Sequence, residues 1–448
     1  MSSVSNQRRV VITGLGLISP LGNTPAALWD ALMAGKSGVA MTSFMPADRQ
    51  PLRYSAECRE FSGEIEDFGP LEKERKKAIK KGLKVMCRET RMAVAAAQLA
   101  IADAGFAETP MDPESSGVVL GSDYMLTMPE DYALGMKTCA PGGEFEYSRW
   151  GKEGLGDMAP LWMLKYLPNM PASHIAIYND LRGPNNSLTM REAAGNLAIG
   201  EAFRTIQRGH ANMMVAGATG TRILPMQAIH ALQTEQIAGV GLTQAGYNGD
   251  PTKVSRPFDK NRTGMVAGEG AAMIVLEELS SAQVRGATIY AEVLGLGSAN
   301  VADAKLHGKC DVALERAIKA ALHDAGCVPN DVGHINAHGL STTERDADES
   351  RAIHQAFGAR AADVPVTALK SYFGNLGAGS AVVELIASVL SIREGRLPRV
   401  LNYQTRDPAC QLAVVTENGS AAGSSFLNLS VTPQGQAAVL YVAAVDLA

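Results

Sequence analysis

The chain lacks a run of about 18 apolar residues, the length a helix needs to cross a bilayer, so its 448 residues predict no membrane span. Aromatic residues are scarce at 5%, and charged residues make up 19% against 46% hydrophobic ones, a globular composition rather than a disordered one. Positive charge is not in excess. The formal net charge of -5 excludes a global field of the kind that gathers nucleic acid, so any cationic partner site must be local. Six cysteines are present (Cys58, Cys87, Cys139, Cys310, Cys327 and Cys410), but none forms a CxxC pair and no two have metal-ligand spacing. They read as buried, reduced thiols of a cytoplasmic protein, and no metal site is predicted. Arg8-Arg9 followed by VVITGLGLIS has the outline of a signal peptide, yet its glycines and short apolar stretch fit a buried strand better.

What is present is a regular alternation. Residues 10–19 predict a strand ending in a glycine turn, and AALWDALMAGK (26–36) a short amphipathic helix. Residues 40–70 are irregular. Lysine and arginine crowd residues 71–91, which merge into the alanine-rich helix MAVAAAQLAIADAG. SGVVLGS (116–122) is a buried strand. Residues 123–180 have no clean period and are rich in Met, Gly, Pro and aromatics, which predicts either surface loops or a wall at an interface or tunnel. The helix over 192–208 is made of small residues, which predicts a central place between layers. ANMMVAGATG and GAAMIVLEEL are further buried strands.

The segment IYAEVLGLGSAN (289–300) then resembles the opening VVITGLGLIS. After it come a helix (310–326), the strand VGHINAH, a helix (346–358), the strand VPVTAL, a helix (378–394) and the closing strands SSFLNLS and AAVLYVAA. The repeated order predicts an internal duplication with a boundary near 283. Continuous apolar strands alternating with helices predict sheets covered on both faces.

Five segments in this order, RRVVITGLGLISPLG, ALMAGKSGV, SRPFDKNRTGMVAGEGAAMIVLEE, NAHGLSTTERDADE and ALKSYFGNLGAGSA, resemble the β-ketoacyl-acyl-carrier-protein synthases of the elongating type. The resemblance runs from about Arg9 to Val442. It implies an α/β chain with the thiolase fold, a duplicated five-layer α-β-α-β-α arrangement, with an N-terminal half over 1–282, a C-terminal half over 283–448, and normally a dimer. It also implies a chemistry. A cysteine at a sharp turn opening the central helix becomes a thiolate through the helix N-terminus and takes an acyl chain as a thioester. Two donors then stabilise the enolate formed when malonyl-carrier protein loses CO2. No cofactor of the chain's own is implied, because 4'-phosphopantetheine arrives on the acyl-carrier protein.

Matched to that pattern, the cysteine position in GPNNSLTMREAAG (183–195) falls on Glu192. The first histidine carries over as His338 in Asn336-Ala337-His338-Gly339. Leu340 stands where threonine usually follows that glycine, while Thr342, a pantetheine-binding position, remains. The lysine motif is Lys370-Ser371. The second histidine falls on Asn375, the residue that chain-starting ketosynthases use there. A Phe-Gly-Phe-Gly-Gly gating loop is replaced by Leu429-Ser430-Val431-Thr432-Pro433-Gln434. The nine cations Lys73, Arg75, Lys76, Lys77, Lys80, Lys81, Lys84, Arg88 and Arg91 lie where similar synthases dock the acidic carrier protein, with Lys80, Lys81, Lys84 and Arg88 the expected contacts; a solvated face is the alternative.

A carboxylate cannot hold a chain as a thioester, so the resemblance leaves three functions. One is a partner subunit of an active ketosynthase, homodimeric or heterodimeric, like the chain-length factors of type II polyketide systems. Another is a malonyl-carrier decarboxylase using His338 and Asn375. The third is an enzyme using Glu192 as a base. Blander readings stand beside them: Glu192 as a first-turn acid stabilising its helix by roughly 0.3–1 kcal/mol, His338 as its static ion-pair partner, Lys370 and Glu269 in interior ion pairs, and His174 and His354 as ordinary histidines. An ionised Glu192 about 4 Å from a malonyl carboxylate would repel it by roughly 4 kcal/mol at an effective dielectric near 20, about a thousandfold in binding. That ranks the partner subunit first.

Overall fold

The computed structural model describes residues 8–44, 52–106, 111–239 and 249–446. The first half supplies five principal strands in the order β1 (Val10–Ile18), β2 (Ser116–Ser122), β3 (Asn185–Thr189), β4 (Met213–Thr221) and β5 (Ala267–Glu278), with the short strands Val39–Met41 and Tyr54–Ala56 beside β5. The second supplies β6 (Ala291–Asn300), β7 (His334–Asn336), β8 (Pro365–Thr367), β9 (Ser425–Val431) and β10 (Gln436–Ala443). In space they run β3-β2-β4-β5-β1 and, continuing, β6-β10-β9-β7-β8. Outward from the joint, each half therefore places its first, fifth, fourth, second and third strand.

The strand directions repeat as well. β1 with β5 and β6 with β10 are antiparallel, as are β4 with β5 and β9 with β10. β2 runs parallel to both β4 and β3, just as β7 runs parallel to both β9 and β8. The joint is a short antiparallel pairing of Val10–Ile12 with Ala291–Val293. The expected boundary near 283 falls in the helix Leu279–Val284 that links β5 to β6.

Helices complete five layers. α1 (Lys73–Gly82) leads into α2 (Arg88–Asp103), which packs on the outer face of β1 and β5. α3 (Ala194–Gln207) and α6 (Ser380–Glu394) lie between the two sheets, and α4 (Cys310–Ala325) with α5 (Thr343–Phe357) covers β6 and β10 from the far side. The resembling segments of β1 and β6 now have a physical meaning. A Cβ at Gly16 would stand 2.2 Å from the Ala96 carbonyl of α2, and one at Gly297 would stand 1.9 Å from the Ala317 carbonyl of α4. In both halves a bare strand lets the covering helix come close. The small face of α3 has the same cause: a Cβ at Gly195 would meet Val382 of α6 at 2.9 Å.

Residues 123–180, expected to be loops or a wall, fold into short helices over Pro129–Thr138, Tyr147–Trp150, Trp162–Tyr166 and Met170–Asn179. Their apolar residues do not follow a helical stripe because several face outward; Tyr147 is 80% and Leu161 63% exposed. Among the described residues no helix is long and apolar enough to cross a membrane.

Candidate functional site

Parallel strands β3, β2 and β4 end at the same edge of the sheet, and the chain leaves each end with a charged residue close behind it. Asp123 follows β2, Arg191 and Glu192 follow β3, and Arg222 follows β4. The turn from β3 into α3 is sharp. Arg191 takes a left-handed conformation at φ 50, which non-glycine residues rarely adopt, and a 3-10 turn over Arg191–Ala193 carries Glu192 to the head of the helix. Glu192 is 2% exposed.

Two arginines compensate its burial. Arg222 Nη2 donates to Glu192 Oε1 at 2.5 Å and to Asp123 Oδ2 at 3.0 Å. Arg191 Nε lies 3.5 Å from Glu192 Oε2, while its Nη2 donates to Glu235 Oε1 at 2.5 Å and its Nη1 to Gln434 Oε1 at 3.2 Å. The result is a buried chain of alternating charge, Glu235–Arg191–Glu192–Arg222–Asp123. Burial opposes ionisation of Glu192, but the guanidiniums of Arg222 and Arg191 outweigh it and hold the carboxyl well below the usual carboxylate range.

The second half brings its loops to the same place. Asn375 precedes α6 and accepts from the Gly377 amide at 3.0 Å and the Ser380 hydroxyl at 3.3 Å. With its carbonyl occupied in this way, its amide turns outward and donates to Glu192 Oε1 at 3.1 Å. Lys370 Nζ donates to Glu384 Oε1 at 2.7 Å and to the His338 carbonyl at 2.8 Å, and faces His338 Nδ1 at 3.4 Å. Burial first, then the Lys370 charge, drives the His338 pKa well below its usual value. The imidazole is therefore neutral, and an ammonium facing Nδ1 places its one proton on Nε2, the atom left to donate. Glu349 holds this loop by accepting the His338 and Gly339 amides at 2.6 and 2.8 Å, and burial pushes its carboxyl up to about 8.

The structure thus gathers Glu192, His338, Lys370 and Asn375, the four residues selected from the sequence. Several expectations change. His338 is not the ion-pair partner of Glu192; the arginines are. Nor does Glu192 present a bare charge, so the simple repulsion of a malonyl carboxylate is offset by two adjacent guanidiniums. Lys370 and Glu269 do sit in interior ion pairs, with Glu384 and Arg88 respectively. Arg88 is consequently not an exposed docking cation: its guanidinium makes two 2.6 Å bonds to buried Glu269 and another to the Cys58 carbonyl. Lys80, Lys81 and Lys84 are exposed on α1 and the turn after it. Thr342 is buried, and among the described residues its hydroxyl finds no partner. Leu340 packs in an apolar cluster with Ile223 and Ile237, beside Arg222 in the chain. Residues 429–434 are the end of β9 and the turn after it, from which Gln434 reaches Arg191.

The thiols are elsewhere and unactivated. Burial raises Cys58 well above its ordinary value, Cys87 also upward, Cys310 to about 11 and Cys410 to about 12. Among the described residues no His, Cys, Asp and Glu cluster could hold a metal ion.

A family model described as the N-terminal domain of β-ketoacyl synthase matches residues 7–282, and its C-terminal domain matches 290–404. The chain belongs to the β-ketoacyl synthase family. Among its relatives, the 3-oxoacyl-[acyl-carrier-protein] synthase 2 of Synechocystis is 36% identical over 421 residues, covering 91% of both chains. That of Coxiella burnetii is 35% identical over 417 residues, covering 91% of this chain and 92% of the other. Solved structures agree over 98% of this chain and the whole of theirs. A β-ketoacyl synthase from Burkholderia phymatum gives a TM-score of 0.82 at 28% identity, and the ishigamide ketosynthase/chain length factor 0.80 at 29%. A type II polyketide ketosynthase in complex with its acyl-carrier protein gives 0.81 at 27%. The duplicated sheet is thus that of a ketosynthase-like protein.

What sequence reading missed in this ketosynthase-like site is the pair of arginines and their acids. Only Arg191 lies in a matched segment, directly before Glu192, and the others belong to no motif. The signal available was positional: a charged residue within one to three positions of the C-terminal end of each of three parallel strands, β2, β3 and β4, two of them apolar and buried.

Proposed function

We propose that this chain is a non-condensing ketosynthase-like subunit of fatty acid or polyketide biosynthesis that works as the partner of a cysteine-bearing ketosynthase. One observation carries the reading: the residue at the head of α3, where the resemblance puts the nucleophile, is a carboxylate held ionised between Arg191 and Arg222. Neither ionised carboxylate nor guanidinium can carry an acyl thioester. The same geometry counts against the other two functions. A carboxyl held far below its ordinary range is a weak base. The Asn375 amide that a decarboxylase needs for the enolate oxygen is already spent on Glu192. The likeness to a ketosynthase/chain length factor and to a ketosynthase complexed with its acyl-carrier protein supports partners of both kinds. In this reading acyl-carrier protein docks at Lys80, Lys81 and Lys84, and its phosphopantetheine passes Thr342.

The test is to incubate the isolated protein with malonyl- and acyl-carrier protein. Neither CO2 nor an acylated protein is expected. A stoichiometric acyl adduct on any of the six cysteines, seen by intact mass, would overturn the reading. Steady release of CO2 would favour a decarboxylase using His338 and Asn375.

A further inference from the structure

Away from Glu192, behind the turn that carries Lys370, the surface opens into a cavity of about 310 Å³, at the small end of the range for ligand sites. Its walls come from the turn at residues 35–37, the turn at 252–253 and the segment 399–404. We infer that this cleft binds a phosphate group borne by a small molecule.

Arg399 and Lys253 line the cleft and, among the described residues, no carboxylate does. Among the described residues neither the guanidinium nor the ammonium has a hydrogen-bonding or ion-pairing partner. Asp250, whose carboxyl feels Lys253, is turned to the Thr252 amide and hydroxyl at 3.0 and 2.7 Å and does not line the cleft. The guanidinium has a defined seat. Gly35, at φ 68, leaves bare backbone where a Cβ would come within 3.0 Å of Arg399 Nη2. Ser37 Oγ accepts the Val39 amide at 3.2 Å, which leaves its O–H free to donate inward. Tyr403 and Gln404 complete a polar wall. A planar fork, a point charge and several neutral donors around one small space match an anionic phosphate group with several acceptor oxygens.

The cleft's inner wall is fixed to the Lys370 turn. Asn402 Nδ2 donates to the Thr252 and Ser255 carbonyls at 2.9 and 2.8 Å, and the Ser255 hydroxyl donates to the Lys370 carbonyl at 2.7 Å. The Tyr372 hydroxyl donates to the Arg399 carbonyl at 2.8 Å. The cationic cleft is therefore preformed, held by side-chain bonds to backbone carbonyls that need no ligand.

Calorimetric titration of the purified protein with inorganic phosphate, glycerol 3-phosphate and glycerol tests this. Saturable binding is expected for the two phosphates and none for glycerol. The double variant Lys253→Ala/Arg399→Gln should weaken it at least about tenfold. Both side chains are exposed, so its thermal midpoint without ligand should stay near wild type. A triple change of Lys80, Lys81 and Lys84 to alanine should leave phosphate affinity intact. Unchanged affinity in the double variant, or an equal loss in the α1 triple, would overturn the site in favour of diffuse attraction. Competition with glycerol 3-phosphate by phosphopantetheinylated carrier protein, but not by the apo-carrier, would identify the phosphate as that of the prosthetic arm. No competition by either would identify a free metabolite.

Discussion

At Glu192 the charge is set by its neighbours, and pH reads that setting. Its folded pKa lies below its ordinary value of 4.5, so ionisation stabilises the fold above that pH and the gain is lost as pH falls through the folded pKa. Glu192→Gln should cost about 3 kcal/mol at neutral pH, the lower end for breaking a buried pair, because Arg222 keeps Asp123 and Arg191 keeps Glu235. The wild-type advantage in thermal or urea unfolding should be level above about pH 5 and shrink below pH 4.5, by about 1.4 kcal/mol per unit. An advantage that grows in acid would contradict the ion pairs. Glu192→Cys tests the same surroundings differently. A thiol between two guanidiniums at a helix head should ionise near neutrality and react with iodoacetamide faster than the six native cysteines, with measurable self-acylation from acyl donors. A variant wholly inert to alkylation would mean the pocket is closed to reagents. Glu192, His338, Lys370 and Asn375 were legible because short motifs fix them. Arg191 and Arg222 were not, because their roles depend on which strand ends become neighbours.

At the scale of elements, α1 and the start of α2 divide one basic run into an exposed part and a buried one. Lys80, Lys81 and Lys84 project from α1 and its following turn into solvent, so changing all three to glutamate should weaken carrier-protein binding by at least about tenfold, and more at low salt than at high. Equal affinity at both ionic strengths would leave the patch a solvated face. Arg88→Ala should instead lower stability by about 3–5 kcal/mol, measured by urea unfolding, because it strands buried Glu269. Charge density along the chain predicts a patch but cannot separate these residues. The difference arises because α2 begins at Arg88 and turns that side chain inward. Strands and central helices were legible for the opposite reason. Their patterns are local, and the glycines of β1 and β6 repeat because the same strand–helix approach is built twice. The short helices of 123–180 escaped detection because their apolar residues face outward, and outward apolar residues erase helical periodicity.

For the whole molecule, those outward residues and the sheet edge pose one question. β3 is the end strand of the sheet on its side, paired only with β2 among the described residues, and it is largely exposed. Met190, just past its end, is exposed, and so are Leu134, Phe145, Tyr147, Leu161 and Met163 in the segment 123–180. An uncovered edge strand beside apolar side chains is a pairing and aggregation hazard that a second subunit removes by continuing the sheet. If a second subunit does so, relative affinity decides whether it is a second copy or a ketosynthase. If the chain is a helper, co-expression with the cysteine-bearing ketosynthase of the same genome should yield a mixed dimer that survives gel filtration and native mass spectrometry. The mixed dimer should elongate malonyl units where the lone chain does not, and substitutions within 123–170 should change product length. Met190→Asp puts a charge on an exposed side chain at the end of β3, so the monomer should fold while dissociation rises at least about tenfold, roughly 1.4 kcal/mol. A Met190→Asp dimer as tight as the wild type would place the interface elsewhere on the molecule. A chain that never exchanges with a co-encoded ketosynthase, yet releases CO2 from malonyl-carrier protein by itself, would be an enzyme in its own right.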